Sequence, residues 1–202
     1  MLHQSSFSFI KQRGIRYGAI AGIIATWSIS TGIAASEAEL GLPISTFYSI
    51  MGLSLGLDNF TTAAYVGFAL HLLTGTLLGV AIGIISVRRM KIMMDPYRAI
   101  LAGIIAGVVM WLVLFVPVTF LLVHPSITRI APLLPQSVQG TILTKDINQF
   151  VTGVAIGAIV FHIVWGAIFG FISNSLMRIS ARRSIARHED GKDSSYGGRA
   201  GK

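Results

Sequence analysis

Two histidines, His71 and His162, stand at equivalent places in a repeated sequence pattern. Each lies four residues before the first of two glycines that are themselves four residues apart. An imidazole can ligate a metal or a haem iron, and it can also donate and accept hydrogen bonds. The matched pair is therefore the first candidate for a cofactor-binding site.

Three kinds of chemistry fit this pair of histidines. Two imidazoles can serve as the axial ligands of one haem, with the adjacent glycines making room for the ring. They can also supply two ligands of a copper or zinc site, although no third His, Asp or Glu accompanies them within the apolar segments. Otherwise each histidine forms a hydrogen bond with a neighbouring helix. None of these patterns identifies a particular cofactor or metal.

The elements that carry the histidines are long apolar segments. Of the 202 residues, 53% are hydrophobic and only 12% are charged, whereas a soluble domain carries about 25% charged residues. The apolar residues collect near 17–36, 63–87, 98–123 and 150–177. About 20 residues in a helix cross the roughly 30 Å of a bilayer core, and a helix satisfies its own backbone polar groups there. The sequence therefore predicts an all-α membrane protein with four transmembrane helices.

Charge placement predicts how these helices are oriented. Basic residues cluster before the first segment, between the second and third, and after the fourth, while the other two connections hold only Arg129 and Lys145. Basic flanks stay on the cytoplasmic side, so both termini are expected in the cytoplasm, in the plasma or inner membrane. The flanks are expected to contact anionic lipid headgroups. No nucleic-acid partner is expected despite the net charge of +8, because no recognition fold accompanies it.

The pattern around the histidines belongs to a longer internal duplication. The second and fourth segments share a small-xxx-His-xxx-Gly-xxx-Gly spacing, and the first and third share a run that reaches Gly22 in one and Gly103 in the other. Such self-similarity predicts two parallel repeats of a helical hairpin, about 16–88 and about 97–178. The two hairpins are expected to pack about an axis along the membrane normal.

Glycines at four-residue intervals predict close helix contacts. Residues four apart share a helix face, and small residues let two backbones approach where lipid offers no hydrophobic drive to associate. These contacts are expected within the bundle, or against other membrane subunits or copies of the chain. The glycines predicted to pack are Gly18, Gly22, Gly67, Gly75, Gly79, Gly83, Gly103, Gly107, Gly166 and Gly170.

The remaining segments predict caps and a tail. Residues 40–57 and 124–147 are apolar for loops, which indicates short helices capping the bundle, with a re-entrant segment as the alternative. The four-helix domain is expected to span residues 1–178. Residues 179–202 are basic and then rich in Gly and Ser, which predicts a disordered cytoplasmic tail. The first segment also has the flanks of a signal peptide, whose cleavage would leave three spans.

Several motifs together resemble a known family. The run Tyr97-Arg98-Ala-Ile-Leu-Ala-Gly103 opens a span, the second outer loop contains prolines, and a last span with His162 runs into a basic end. These features resemble the small YagU-type inner-membrane proteins. The resemblance implies four spans and an unassigned molecular function, with no active site to carry over.

The function expected from these patterns is association rather than catalysis. The segments contain no Asp, Glu, Lys or Arg in their cores, which disfavours ion-coupled transport. The chain also has no cysteine and no GxSxG, HExxH or GxxxxGK[ST] motif, so no enzyme is expected. The sequence favours a subunit of a larger membrane complex, such as an accessory helical subunit of a copper-dependent monooxygenase or another membrane oxidoreductase.

Two other functions stay open. One is a haem- or metal-binding membrane protein that uses His71 and His162. The other is a small transporter or channel for a neutral or weakly basic solute. Its pathway would be lined by His71, by Thr74 and by the hydroxyl side chains of the first span.

Overall fold

Every regular element in the part of the chain that the computed structural model describes, residues 2–88, 90–143 and 147–197, is a helix. The α-helices are α1 Leu2–Glu39, α2 Thr46–Ser54, α3 Phe60–Arg88, α4 Met90–Met93, α5 Pro96–Met110, α6 Val116–Val118, α7 His124–Ile130, α8 Gln136–Leu143 and α9 Ile147–Gly197. Two π-helical segments, Trp111–Phe115 and Thr119–Val123, and a 3₁₀ turn, Ala131–Leu133, complete the path between α5 and α8.

Four helical stretches are long and apolar enough to cross a membrane. They are Gly14–Glu39, Phe60–Ser86, Pro96–Leu133 and Ile147–Arg182. The predicted all-α class with four apolar helices is therefore confirmed, and it indicates a multi-pass membrane protein. The third stretch is longer than its apolar segment because α7 and the 3₁₀ turn continue the helical path beyond Val123.

Helices α1 and α3 form the first hairpin through their glycines. A Cβ added at Gly79 would lie closer than 3.0 Å to the carbonyl oxygen of Gly18, and one added at Gly22 would lie 2.6 Å from that of Gly75. Real Cβ atoms essentially never come this close, so only glycine allows the two backbones to touch. Gly83 extends the contact to Gly14 and Gly18.

Helices α5 and α9 form the second hairpin in the same way. A Cβ at Gly103 would collide with the carbonyl oxygen of Gly166, and one at Gly170 would collide with that of Ala99. Gly107 lies against the backbone of His162. The start of α5 is well defined by sequence, because Asp95 accepts a hydrogen bond from the Arg98 N–H (3.1 Å) and Pro96 follows it at the first helical position.

The two hairpins join along α1 and α9. Trp165 and Phe169 of α9 are buried against Ala21 and Ala25 of α1. The Trp165 indole N–H donates to the Thr26 hydroxyl (2.8 Å), which itself donates to the Gly22 carbonyl oxygen (2.7 Å). No comparable interface joins α3 to α5 within the described ranges, so the hairpins are apart on that side.

The apolar connections pack into a second core at one end of the bundle. Helix α2 lies on α3 because Gly52 contacts the Ala63 backbone and Gly67 contacts the Tyr48 backbone. Leu53 of α2 is buried with apolar residues of α3, α7, α8 and α9. The two long connections are therefore short helices that cover the helix ends, as the sequence predicts for caps.

Prolines shape the helical path after α5. The Val116 N–H donates to the Trp111 carbonyl oxygen and the His124 N–H to that of Thr119, which is the i to i−5 pattern of a π-helix. Each of these donors directly precedes a proline, at 117 and 125. A proline ring clashes with the carbonyl group four residues earlier, and a wider turn relieves that clash without breaking the helix.

Helix α9 continues beyond its apolar stretch to Gly197. It thus passes through residues 179–197, for which composition predicts a disordered tail. Alanine and arginine, which are frequent between Arg178 and Arg187, are strong helix formers and favour this continuation.

The glycine contacts yield a stability prediction. Gly166→Ala places a methyl group against the Gly103 backbone, so we expect it to lower the free energy of unfolding by about 1–3 kcal/mol. Gly157→Ala, on the same helix, meets open space and should be neutral or stabilising by up to about 1 kcal/mol. Titration of the purified protein with a denaturing detergent measures both. Equal stabilities for the two variants would contradict the close contact.

Candidate ligand-binding cavity

A cavity of about 760 Å³ lies between the two hairpins. Its walls come from α1, α2, α3, α9 and the helical path from Met110 to Ile127, and they are mostly apolar. The volume falls in the range of about 300–1,000 Å³ that is typical of small-molecule sites. The polar and ionisable residues that line it are Thr26, Ser36, Glu37, Thr46, His71, Thr74, Thr119, Gln149 and His162.

The structure brings the two predicted histidines to this one cavity. The His162 Nδ1 lies 2.8 Å from the Ala158 carbonyl oxygen. Because a carbonyl oxygen can only accept, Nδ1 carries the proton, and in the neutral imidazole Nε2 is then an acceptor. The Nε2 of His71 is buried and has no hydrogen-bond partner in the described part of the chain.

A stack of aromatic rings connects the two histidines. Phe47 of α2 and Phe115 of the first π-helical segment are stacked, with ring centroids 6.3 Å apart. The His71 ring meets Phe47 edge-on at 6.4 Å, and the His162 ring meets Phe115 at 5.2 Å. Each imidazole thus packs against an aromatic ring from another element.

Glu37 is a site residue that sequence reasoning placed among the charges of an outer connection. It is only 6% exposed, and its two carboxylate oxygens accept the N–H groups of Ser45 (2.7 Å) and Phe47 (2.6 Å). It thereby satisfies free donors at the start of α2, where a helix favours a negative charge. The sequence signal was weak, because the contact depends on a positive φ at Ser45 that turns the chain back toward α1.

Tyr48 lies beside His71, with ring centroids 5.4 Å apart. Burial raises the pKa of its phenol to about 12, and the nearby Glu37 carboxylate acts in the same direction. The phenol oxygen is buried near the Ser30 hydroxyl, which donates to the Thr26 carbonyl oxygen (2.8 Å) and can still accept. Tyr48 therefore stays a neutral packing partner of His71.

The donor set decides which ligands this cavity can hold. No group of three or more His, Asp or Glu that could hold a metal ion exists in the described ranges. Glu37 shares the cavity, but both of its oxygens already bind the α2 backbone. Two imidazole nitrogens leave a four-coordinate zinc site incomplete, whereas they match the two axial positions of a haem. The haem hypothesis stays a prediction.

The glycines divide into two groups by their surroundings. All ten that the sequence predicts to pack meet the backbone or a side chain of a neighbouring element closely. Gly153 and Gly157 of α9 instead line the cavity, and a Cβ added at either would meet open space. Thr74, which the sequence places on a solute pathway, also lines the cavity.

Comparison with known protein families, with curated proteins and with solved structures finds no match for this chain. A proposal for the function of this chain therefore rests on the chemistry of the cavity.

The Glu37 contact yields a second prediction. Glu37→Gln leaves one oxygen to accept from two backbone N–H groups, so we expect the free energy of unfolding to fall by about 1–3 kcal/mol, as α2 loosens. Glu39→Gln is the matched control, because Glu39 is exposed two residues further on. Thermal unfolding in mild detergent compares the two variants. A Glu37 variant as stable as its control would refute the role of this carboxylate.

Proposed function

We propose that this chain is a non-catalytic, multi-pass membrane protein that binds a lipophilic molecule between its two hairpins. The observation that carries the proposal is the cavity of about 760 Å³, which has apolar walls and two imidazoles. A large apolar pocket with a few convergent polar groups is the usual form of a small-molecule site. In a membrane such a pocket is open to molecules dissolved in lipid.

The two hairpins are proposed to be parallel repeats with both termini in the cytoplasm. Support comes from equivalent contacts, since Gly79 on Gly18 in the first hairpin corresponds to Gly170 on Ala99 in the second. The contact of Gly22 with Gly75 in the first hairpin corresponds in the same register to the contact of Gly103 with Gly166 in the second. The positive-inside rule supports the orientation and the plasma or inner membrane as the location.

Unequal docking of the two proposed repeats accounts for the cavity. A two-fold axis would give every contact of α1 with α9 a counterpart between α5 and α3. The α1–α9 interface is packed around Trp165, whereas α3 and α5 have no comparable contact in the described ranges. The space that this asymmetry leaves is lined by His71 on one side and His162 on the other.

A cavity-filling substitution tests the binding proposal. Gly157→Leu adds a side chain to the open wall without a backbone collision, so we expect it to reduce binding of a lipophilic probe at least tenfold while the fold persists. Gly140→Leu is the matched control, because a Cβ there also meets open space and Gly140 lies outside the cavity. The probe is a photoreactive diazirine analogue of hexadecanol, and labelled peptides are mapped by mass spectrometry.

Two outcomes would count against this proposal. The first is labelling of lipid-facing residues alone, with no cavity peptide. The second is a haem absorption band in the purified protein that is lost when both His71 and His162 are replaced, which would identify the cavity as a haem site instead.

A second proposed role is that of a subunit in a larger membrane complex, such as a membrane oxidoreductase. The supporting observation is Trp27, which lies in the middle of its span and is 59% exposed. Tryptophan prefers the headgroup level of a bilayer, so an outward tryptophan at mid-span favours a contact with protein rather than with lipid. The predicted packing glycines are engaged within the chain and leave this face free for a partner.

Trp27→Leu tests the subunit role. We expect the variant to lose a slowly migrating species from native gels of membranes extracted in mild detergent. Phe171→Leu is the control, since Phe171 is an aromatic residue of α9 with 56% exposure. Identical monomeric migration of the wild type and both variants would refute a stable complex through this face.

A further inference from the structure

The charges around the cavity select against charged ligands. No lysine or arginine of the described residues lines it, so a phosphate or a carboxylate would find no cation among them. The acidic side chain that lines it among the described residues is Glu37, which is buried and whose oxygens already accept two N–H groups of the α2 backbone, so its charge is stabilised without a cation from the ligand. A charge that is buried without a partner is strongly disfavoured. The ligand is therefore uncharged.

The hydrogen-bonding groups of the cavity select the polar atom of the ligand. Thr26 is occupied, because its hydroxyl donates to Gly22 and accepts from Trp165. The hydroxyls of Ser36 and Thr46 donate to backbone carbonyl oxygens of Gly32 and Pro43. Thr74, Thr119 and Gln149 can each donate and accept, so they do not select between a donor and an acceptor on the ligand. The His162 Nε2 can only accept, because Nδ1 carries the proton. An acceptor requires a donor on the ligand.

We infer that the ligand is an uncharged lipid alcohol or phenol, whose hydroxyl donates to Nε2 of His162 while its apolar body lies along the cavity walls. This inference rests on the proposed binding function and names its substrate class. A ketone or an ether of the same shape has no donor and leaves the His162 nitrogen unpaired.

The aromatic rings place this polar contact among apolar surroundings. His162 packs edge-on against Phe115, and Phe115 stacks on Phe47. A hydrogen bond in such surroundings is stronger than the same bond in water. A hydroxyl on the ligand, unlike an ether oxygen, can form this bond with the His162 Nε2.

The test compares three diazirine probes that share one alkyl chain and differ in the head group: hexadecanol, its methyl ether and hexadecanoic acid. They are presented to the full chain in nanodiscs, and labelling of cavity peptides is measured against probe concentration. We expect the alcohol to be preferred over the ether by roughly 3- to 10-fold, which is the value of one net hydrogen bond. The acid should label the cavity least.

Variants of the histidines identify the responsible group. His162→Phe should bind alcohol and ether equally, whereas His162→Gln retains an acceptor oxygen and should retain part of the preference. His124→Phe is the matched control, because His124 pairs with Asn148 away from the cavity, and it should behave as wild type. Circular dichroism and gel filtration establish that each variant is folded.

The outcomes separate this inference from the function on which it rests. Equal labelling by alcohol and ether in the wild type, or preferred labelling by the acid, would overturn the ligand class and leave the binding function standing. A preference that persists in a folded His162→Phe variant would overturn the role of His162. Absence of cavity labelling by every probe would instead refute the binding function itself.

Discussion

The fold depends on direct backbone contact at the glycines of each hairpin. Lipid is as apolar as leucine, so helices in a membrane gain nothing from merely hiding their side chains, and they associate through close packing instead. At Gly79 and Gly166 the neighbouring backbone occupies the position of a Cβ, which brings each pair of helices as near as two helices can come. The rigid hairpins that result are the walls between which a cavity can persist.

The manner in which the hairpins are joined determines where that cavity lies. Trp165 both joins the hairpins and lines the cavity. Its ring is buried against α1, and its N–H donates to the Thr26 hydroxyl. On the other side α2 supplies Phe47, and Glu37 holds the start of α2 in place. The contact between Trp165 and Thr26, which are far apart in the sequence, thus lies on one side of the cavity. The Glu37 carboxylate, which binds a nearby segment of the chain, lies on the other side.

Hydropathy was enough to predict the four apolar helices, because crossing lipid imposes length and composition on each segment separately. The regular spacing of the glycines similarly marks faces that the structure places in contact. The cavity was not predictable in this way. Parts of its wall depend on the positive φ of Ser45, on the hydrogen bonds of Glu37 to the N–H groups that this turn presents, and on the π-helical turns ahead of Pro117 and Pro125. Each of these features depends on residues that are neighbours only in the folded chain. The matched histidines predicted a shared site, but their pattern did not indicate which ligand it binds.

A cavity inside a membrane protein faces a selection problem that a soluble binding site does not. Its apolar walls offer a lipophilic molecule no large advantage over the surrounding lipid, since both environments are equally apolar. Affinity must therefore come from shape and from the few polar contacts that lipid tails cannot provide. In this chain such contacts come from the His162 imidazole, which packs against an aromatic ring, and from the few lining side chains that are not bound to backbone, since the hydroxyls of Thr26, Ser36 and Thr46 are. A small number of polar atoms in an apolar space is what allows such a site to distinguish one lipid-soluble molecule from the many that surround it.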